Sequence, residues 1–262
     1  MSNPLQLYYA QRVKQFFHNL HDFEVNKDED SLHDVRVEIK KLKALITFLK
    51  TIYPQKKLKK ASHKISAVFR KAGDIREYQL LQRWINRHEL SLLERDFFPR
   101  QKLIELSDDF HHHTRSHKQD FKEIIDAVSK YVHSVKQKQA EQYVSDLHVQ
   151  MEKIVKTRPE ADQWHELRKL IKQWLYAVNW VTDADSRRTY PDFSQYDTLQ
   201  EAIGFWHDSE VIRDTLFLKQ VYLSKDKALQ KDFKKALSAI NQSIRYRKKQ
   251  VGEMLTHIPL SS

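Results

Sequence analysis

The sequence predicts an all-α fold, on three observations. Only 3 of the 262 residues are Gly, too few for the turns that β and α/β folds require. Apolar residues recur at helical spacing through most of the chain. No stretch shows the alternation of a half-buried strand. The same composition narrows the function. With no Cys, a disulfide framework and a Cys-ligated metal centre are impossible. Rossmann and Walker A phosphate loops need clustered glycines, which the chain lacks. No apolar run approaches the ~18 residues of a membrane span. Met1-Ser2-Asn3-Pro4 has neither the charged nor the apolar region of a signal peptide, so a cytoplasmic location is the default expectation.

Taken in order, the first clear helix carries the stripe Leu32, Val35, Ile39, Leu42, Ile46 and Leu49. Ser31 with Asp34 resembles a capping box at its start, and Pro54 ends it. A second helix is expected from Lys56 to Gly73, continuing, bent, towards Arg87. Pro99 marks a further break. Residues 119–157 read as helical throughout, and Pro159 interrupts them. A helix over 162–182 follows, and Thr182–Ser194 is the clearest loop. Helices then resume over 195–223 and 226–257.

An internal repeat organises these helices. His33-Asp34-Val35-Arg36-Val37-Glu38-Ile39-Lys40 aligns with His165-Glu166-Leu167-Arg168-Lys169-Leu170-Ile171-Lys172 at an offset of 132. The second copy has its own stripe: Trp164, Leu167, Ile171, Trp174, Val178 and Val181. Downstream, Gly73…Arg76-Glu77 matches Gly204…His207-Asp208 at an offset of 131. A helix-interior Gly costs ~1 kcal/mol relative to Ala, so it usually serves close packing or a bend. Two related helical bundles about a pseudo-twofold axis fit such a unit. The first repeat spans about 5–135 and the second about 136–258, within one domain over 1–262.

The charge is as ordered as the stripes. The formal net charge is +11, and it is concentrated: residues 31–76 carry 13 Lys/Arg against 3 Asp/Glu, and residues 227–249 carry 8 against one. Focused basic charge captures polyanions. His33, Arg36, Lys40 and Lys43 share one helical face about 100° from the apolar stripe. His165, Arg168 and Lys172 repeat the row, with Leu175 where Lys43 stands. Like charges on one face repel, and an anion would offset that cost. Arg offers a planar fork, Lys a point charge and His ring donors, all suited to phosphate. Rows on neighbouring helices are expected to add Lys60, Lys64, Arg70 and Arg76, and Lys234, Lys235, Arg245 and Lys249 near the C-terminus. Protonation of His33 and His165 would tighten binding below about pH 6.5.

These paired motifs resemble the conserved-histidine α-helical domain (CHAD) family. The resemblance rests on His33, Arg36, Lys40, Lys43 and Ala44 with Gly73…Arg76-Glu77, and on His165, Arg168, Lys172 and Tyr176 with Gly204…His207-Asp208. It covers about residues 5–258. It implies two four-helix bundles whose basic cavity and surface bind inorganic polyphosphate. No nucleophile with an adjacent base is recognisable, so no catalytic residue, metal or cofactor is expected. Many family members are fused to a CYTH triphosphatase domain, and this sequence resembles a stand-alone member. Gln173 and Leu175 depart from the basic pattern.

Two alternatives share some of these features. The dipeptides His21-Asp22, His33-Asp34 and His207-Asp208 would suit a metal-dependent, all-helical HD phosphohydrolase. The repeat opposes it, because His33-Asp34 becomes His165-Glu166 while the Arg and Lys positions persist. A general nucleic-acid binder would share the electrostatics but needs a stacking or base-reading module. Trp84, Trp164, Trp174, Trp180 and Trp206 are expected in the core, His207-Asp208 in hydrogen bonds beside Gly204, and His111, His112, His113 and His117 on an exposed polar segment.

Overall fold

The computed structural model describes residues 3–116, 118–181, 190, 192–220 and 226–258. Among them are ten helices and no strand, as the composition predicts. They are α1 (Pro4–Asn26), α2 (Glu29–Ile52), α3 (Lys56–Arg87), α4 (Ser91–Phe97) and α5 (Arg100–Ser116), then α6 (Lys118–Val132), α7 (Gln137–Lys156), α8 (Trp164–Val181), α9 (Phe193–Gln220) and α10 (Lys227–His257). No described helix is long and apolar enough to cross a membrane.

Some boundaries differ from expectation for local reasons. Helix α2 starts at Glu29 rather than after Ser31, because the Asp28 carboxylate caps it by accepting from the Ser31 N–H at 2.7 Å. The single helix expected over 119–157 is two, α6 and α7. Val135 turns into the core between them. Gln139 Oε1 accepts from the Lys136 N–H at 2.9 Å and so caps the new helix. Most of the loop expected at Thr182–Ser194, together with 221–223 of the helix expected over 195–223, lies outside the described residues. Helix α1 and helices α4 and α5 have no counterpart in the sequence reading. In α5 the buried stripe is narrow, only Ser107, Phe110 and Thr114.

The chain forms two compact units, each drawing on separate stretches of sequence. Unit 1 comprises residues 1–76, 107–150 and 172–191. Here all six stripe residues of α2 are buried, and α1 packs along α2. Aromatic contacts join the layers: Phe16 to Phe121 at 5.4 Å, Phe23 to Phe110 at 5.5 Å and Phe48 to Trp180 at 5.2 Å. Glu38 is a buried charge satisfied twice, by Arg12 at 3.0 Å and Lys41 at 2.7 Å.

Unit 2 comprises residues 77–106, 151–171 and 192–262. Its core is Leu81, Ile85, Leu90, Leu93 and Phe98 against Ile212, Leu216 and the α10 stripe Leu229, Phe233, Ala236, Ile240 and Ile244. Helices α9 and α10 pack along each other. Trp164 is buried, donates to the Pro159 carbonyl at 2.8 Å and meets Trp206 edge-on at 5.1 Å. Trp174 and Trp180 of unit 1 are fully buried, and Trp84 of unit 2 is half-buried, stacked on His88.

Candidate functional site

In unit 1 the first motif lies along α3, and one ring organises it. The Arg36 guanidinium sits 4.6 Å from the centroid of Phe69, the Lys43 ammonium 4.7 Å and the Lys40 ammonium 5.8 Å. All three fall within cation–π range. Arg36 Nη1 also donates to the Phe69 carbonyl at 3.4 Å. A Cβ on Gly73 would lie 3.4 Å from that same nitrogen, so Gly73 leaves room for the guanidinium. One turn further, Arg76 pairs with Glu29 in the first turn of α2.

The cations perturb one another. Partial burial pushes the His33 pKa down, and Arg76, Lys40 and Arg36 push it further, against the opposing pull of Asp34. Burial lowers Lys43 as well, helped by Arg70. Burial is the largest cause of both shifts, and the cationic contributions that add to it mark a local excess of positive charge. An anion placed there would oppose both shifts.

Unit 2 repeats part of the arrangement, with a different guanidinium nitrogen as donor. Arg168 Nε donates to the Gln200 carbonyl at 3.0 Å. Phe69 and Gln200 each stand four residues before their glycine. A Cβ on Gly204 would lie 2.8, 3.1 and 3.2 Å from Arg168 Nη2, Nε and Cζ. The repeated Arg and the repeated Gly are therefore one device: the arginine reaches a helical carbonyl over a face without a side chain. His165 meets His207, three residues beyond Gly204, with ring centroids 4.9 Å apart. Arg76 holds the corresponding place beyond Gly73. Burial lowers the His207 pKa first, followed by His165, while Asp208 opposes. Burial and Lys169 lower His165, opposed by Glu166.

The second row is shorter than the first. The Lys172 ammonium lies 5.8 Å from the Tyr176 ring. Beyond it, Gln173 donates to the Ala44 carbonyl at 2.8 Å and to the Tyr143 hydroxyl at 3.1 Å, within unit 1. Leu175 is buried. Both departures from the basic pattern thus serve packing.

Several expected contacts fall elsewhere. Lys60 and Phe69 are nine residues apart on α3, which turns them about 180° from each other. Lys60 and Lys64 therefore face away from the α2 row and line a separate cavity. Lys64 is tied to Asp120 at 2.6 Å and Glu123 at 3.3 Å. On α10, Lys234 and Arg245 are exposed, Arg245 beside Ser238 and Asn241, and Lys249 lies 3.7 Å from Glu253. Lys235 donates to the His88 carbonyl at 3.1 Å. The α10 cation directed at α9 is Arg247, 5.2 Å from the Phe205 ring. Arg247 and Phe69 were not legible as site residues: one is lost in a run of cations, the other reads as core. His111, His112 and His113 belong to α5, and His117 lies outside the described residues. Among the described residues no three His, Asp or Glu converge as metal ligands would.

A helical chain with cationic rows tied by arginine to glycine-bearing helices defines a class, and comparison with known proteins identifies it. The CHAD domain family model matches residues 8–216, so this chain belongs to the CHAD family. The fold is similar to the crystal structure of the CHAD domain from the plant Ricinus communis, with a TM-score of 0.75 and 15% identity over 99% of this chain and 92% of that one. No curated protein matches.

Proposed function

We propose that this protein binds inorganic polyphosphate, without catalytic turnover, through the cationic rows of α2 and α8. The family is associated with polyphosphate binding in general. The observation that carries the reading for this chain is the convergence of Arg36, Lys40 and Lys43 on Phe69; His33 and Lys43 there are depressed first by burial and then by neighbouring cations. Such a cluster gains most from a ligand with closely spaced negative charges. Polyphosphate supplies one charge per phosphate along a flexible chain, and contacts accumulate along one molecule.

The matched Arg36–Phe69 and Arg168–Gln200 contacts also support two bundles descended from one helical unit. The four-helix form of each bundle is part of this proposal, as is a cytoplasmic location. Charge reversal at Lys40 and Lys43 together is expected to weaken long-chain polyphosphate binding by about tenfold or more, with helicity intact. Affinity should fall steeply with salt. Titration of polyphosphate in competition with RNA checks it, and unchanged affinity of the variant, or preference for RNA, overturns the reading.

A further inference from the structure

On the far side of α3 from Phe69, unit 1 carries a cavity of about 920 Å³ between residues 54–64 and 123–131. Lys56, Lys57, Lys60, Lys64 and Lys130 line it, with Glu123 and Asp126 as the only carboxylates on its walls among the described residues. Lys64 is engaged by Asp120 and Glu123. Lys56, Lys57, Lys60 and Lys130 are exposed and have no ion pair to any described residue. Lys56 and Lys57 also begin a 32-residue helix with no acid in its first turn, so they sit against the positive end of the helix dipole. Folding places this charge where it costs stability, and an anion in the cavity would offset it.

The remainder of the lining is unlike a bare phosphate track. Ala61 and Ile124 in the lining are buried, and Pro54 and Ala127 add to its apolar part. Tyr131 lines the cavity too, its ring held 5.3 Å from Tyr53, whose hydroxyl donates to the Ser134 carbonyl at 2.9 Å. Asp126 and Glu123 would repel a pure phosphate chain but accept from amino or hydroxyl groups. A ligand with phosphates at one end and a flat ring with donor groups at the other satisfies both halves, and the volume is within the range of small-molecule sites.

We propose that this cavity is a nucleoside polyphosphate site, distinct from the α2 row, with the phosphates on Lys56, Lys57, Lys60 and Lys130 and the base against Tyr131. The proposal does not depend on polyphosphate binding by the row. The test titrates ATP, tripolyphosphate and adenosine into the full chain and into two charge-reversed variants. Lys57→Glu with Lys60→Glu should weaken ATP binding about tenfold or more, while Lys40→Glu with Lys43→Glu leaves it within about twofold. ATP should bind more tightly than tripolyphosphate, and Tyr131→Ala should remove that advantage. Helicity by circular dichroism is checked for each variant, with Lys57→Gln and Lys60→Gln as the milder pair. The site assignment is overturned if ATP does not bind or if the row variant weakens it equally. Equal affinity for tripolyphosphate and ATP would overturn the nucleoside part.

Discussion

Alanine at the two repeated glycines should have opposite effects, although both lie inside helices. Helix propensity alone favours Ala over Gly by roughly 1 kcal/mol. At Gly73 the new Cβ meets one atom, Arg36 Nη1, at 3.4 Å, the edge of ordinary contact and the far end of a flexible side chain. Gly73→Ala should therefore stabilise the protein by up to about 1 kcal/mol. At Gly204 the Cβ meets three guanidinium atoms, the nearest at 2.8 Å. Arg168 must move, and its 3.0 Å bond to the Gln200 carbonyl breaks. A hydrogen bond from a charged donor is worth about 1.5–3 kcal/mol. Setting that loss against the propensity gain, Gly204→Ala should destabilise by about 0.5–2 kcal/mol. For a chain of this size each kcal/mol moves Tm by roughly 2–4 °C. Urea and thermal unfolding followed by circular dichroism measure both. In an Arg168→Ala background the obstruction is gone, so Gly204→Ala should become stabilising. If Gly204→Ala stabilises the wild-type chain as Gly73→Ala does, arginine packing is not why the repeat keeps glycine.

Two further outcomes follow from the same geometry. Phe69→Leu keeps the carbonyl but removes the ring shared by Arg36, Lys40 and Lys43; at about 0.5–1 kcal/mol for each of the three cation–π contacts it should cost about 1.5–3 kcal/mol, and Phe69→Tyr should restore most of that in the same unfolding assay. Acidification should both destabilise the free protein and favour its ligand. His33, His165 and His207 all have folded pKa values below their ordinary one, so the unfolded chain binds more protons as pH falls below about 6.5. Their share of stability is complete above that pH and is lost progressively below it. Under the proposed function, polyphosphate should raise the same pKa values, so binding should take up protons and tighten between about pH 8 and 5.5. Unfolding and titration series across that range check both trends, and a chain with all three histidines changed to Gln should show neither.

Much of the candidate site is legible in the linear pattern. The spacing of His33, Arg36 and Lys40 against His165, Arg168 and Lys172 marked the rows, because a helix converts a fixed spacing into a fixed face. The α2 stripe was equally readable, and all six of its residues are buried. The break between α6 and α7 was not. It depends on Val135 finding the core and on Asn3, 132 residues away, donating to the Val135 carbonyl at 3.3 Å. No local signal reports such a partner.

The sequence by itself determined that an arginine and a glycine recur together some 130 residues apart, since residue identity and spacing survive duplication of a helical unit. It could not say that the two are in contact. Only the tertiary structure decided that Arg36 and Arg168 are drawn to backbone carbonyls of a neighbouring helix, over the gap the glycine leaves. It also decided which cations of α3 lie beside the row: Arg70 near Lys43 and Arg76 near His33, but not Lys60 or Lys64. A helix shows its cations on every side, and only packing against α2 selects the face carrying Phe69 and turns Lys60 and Lys64 away from it. Charge content is a property of the chain, whereas the direction in which that charge points is fixed by what each helix buries.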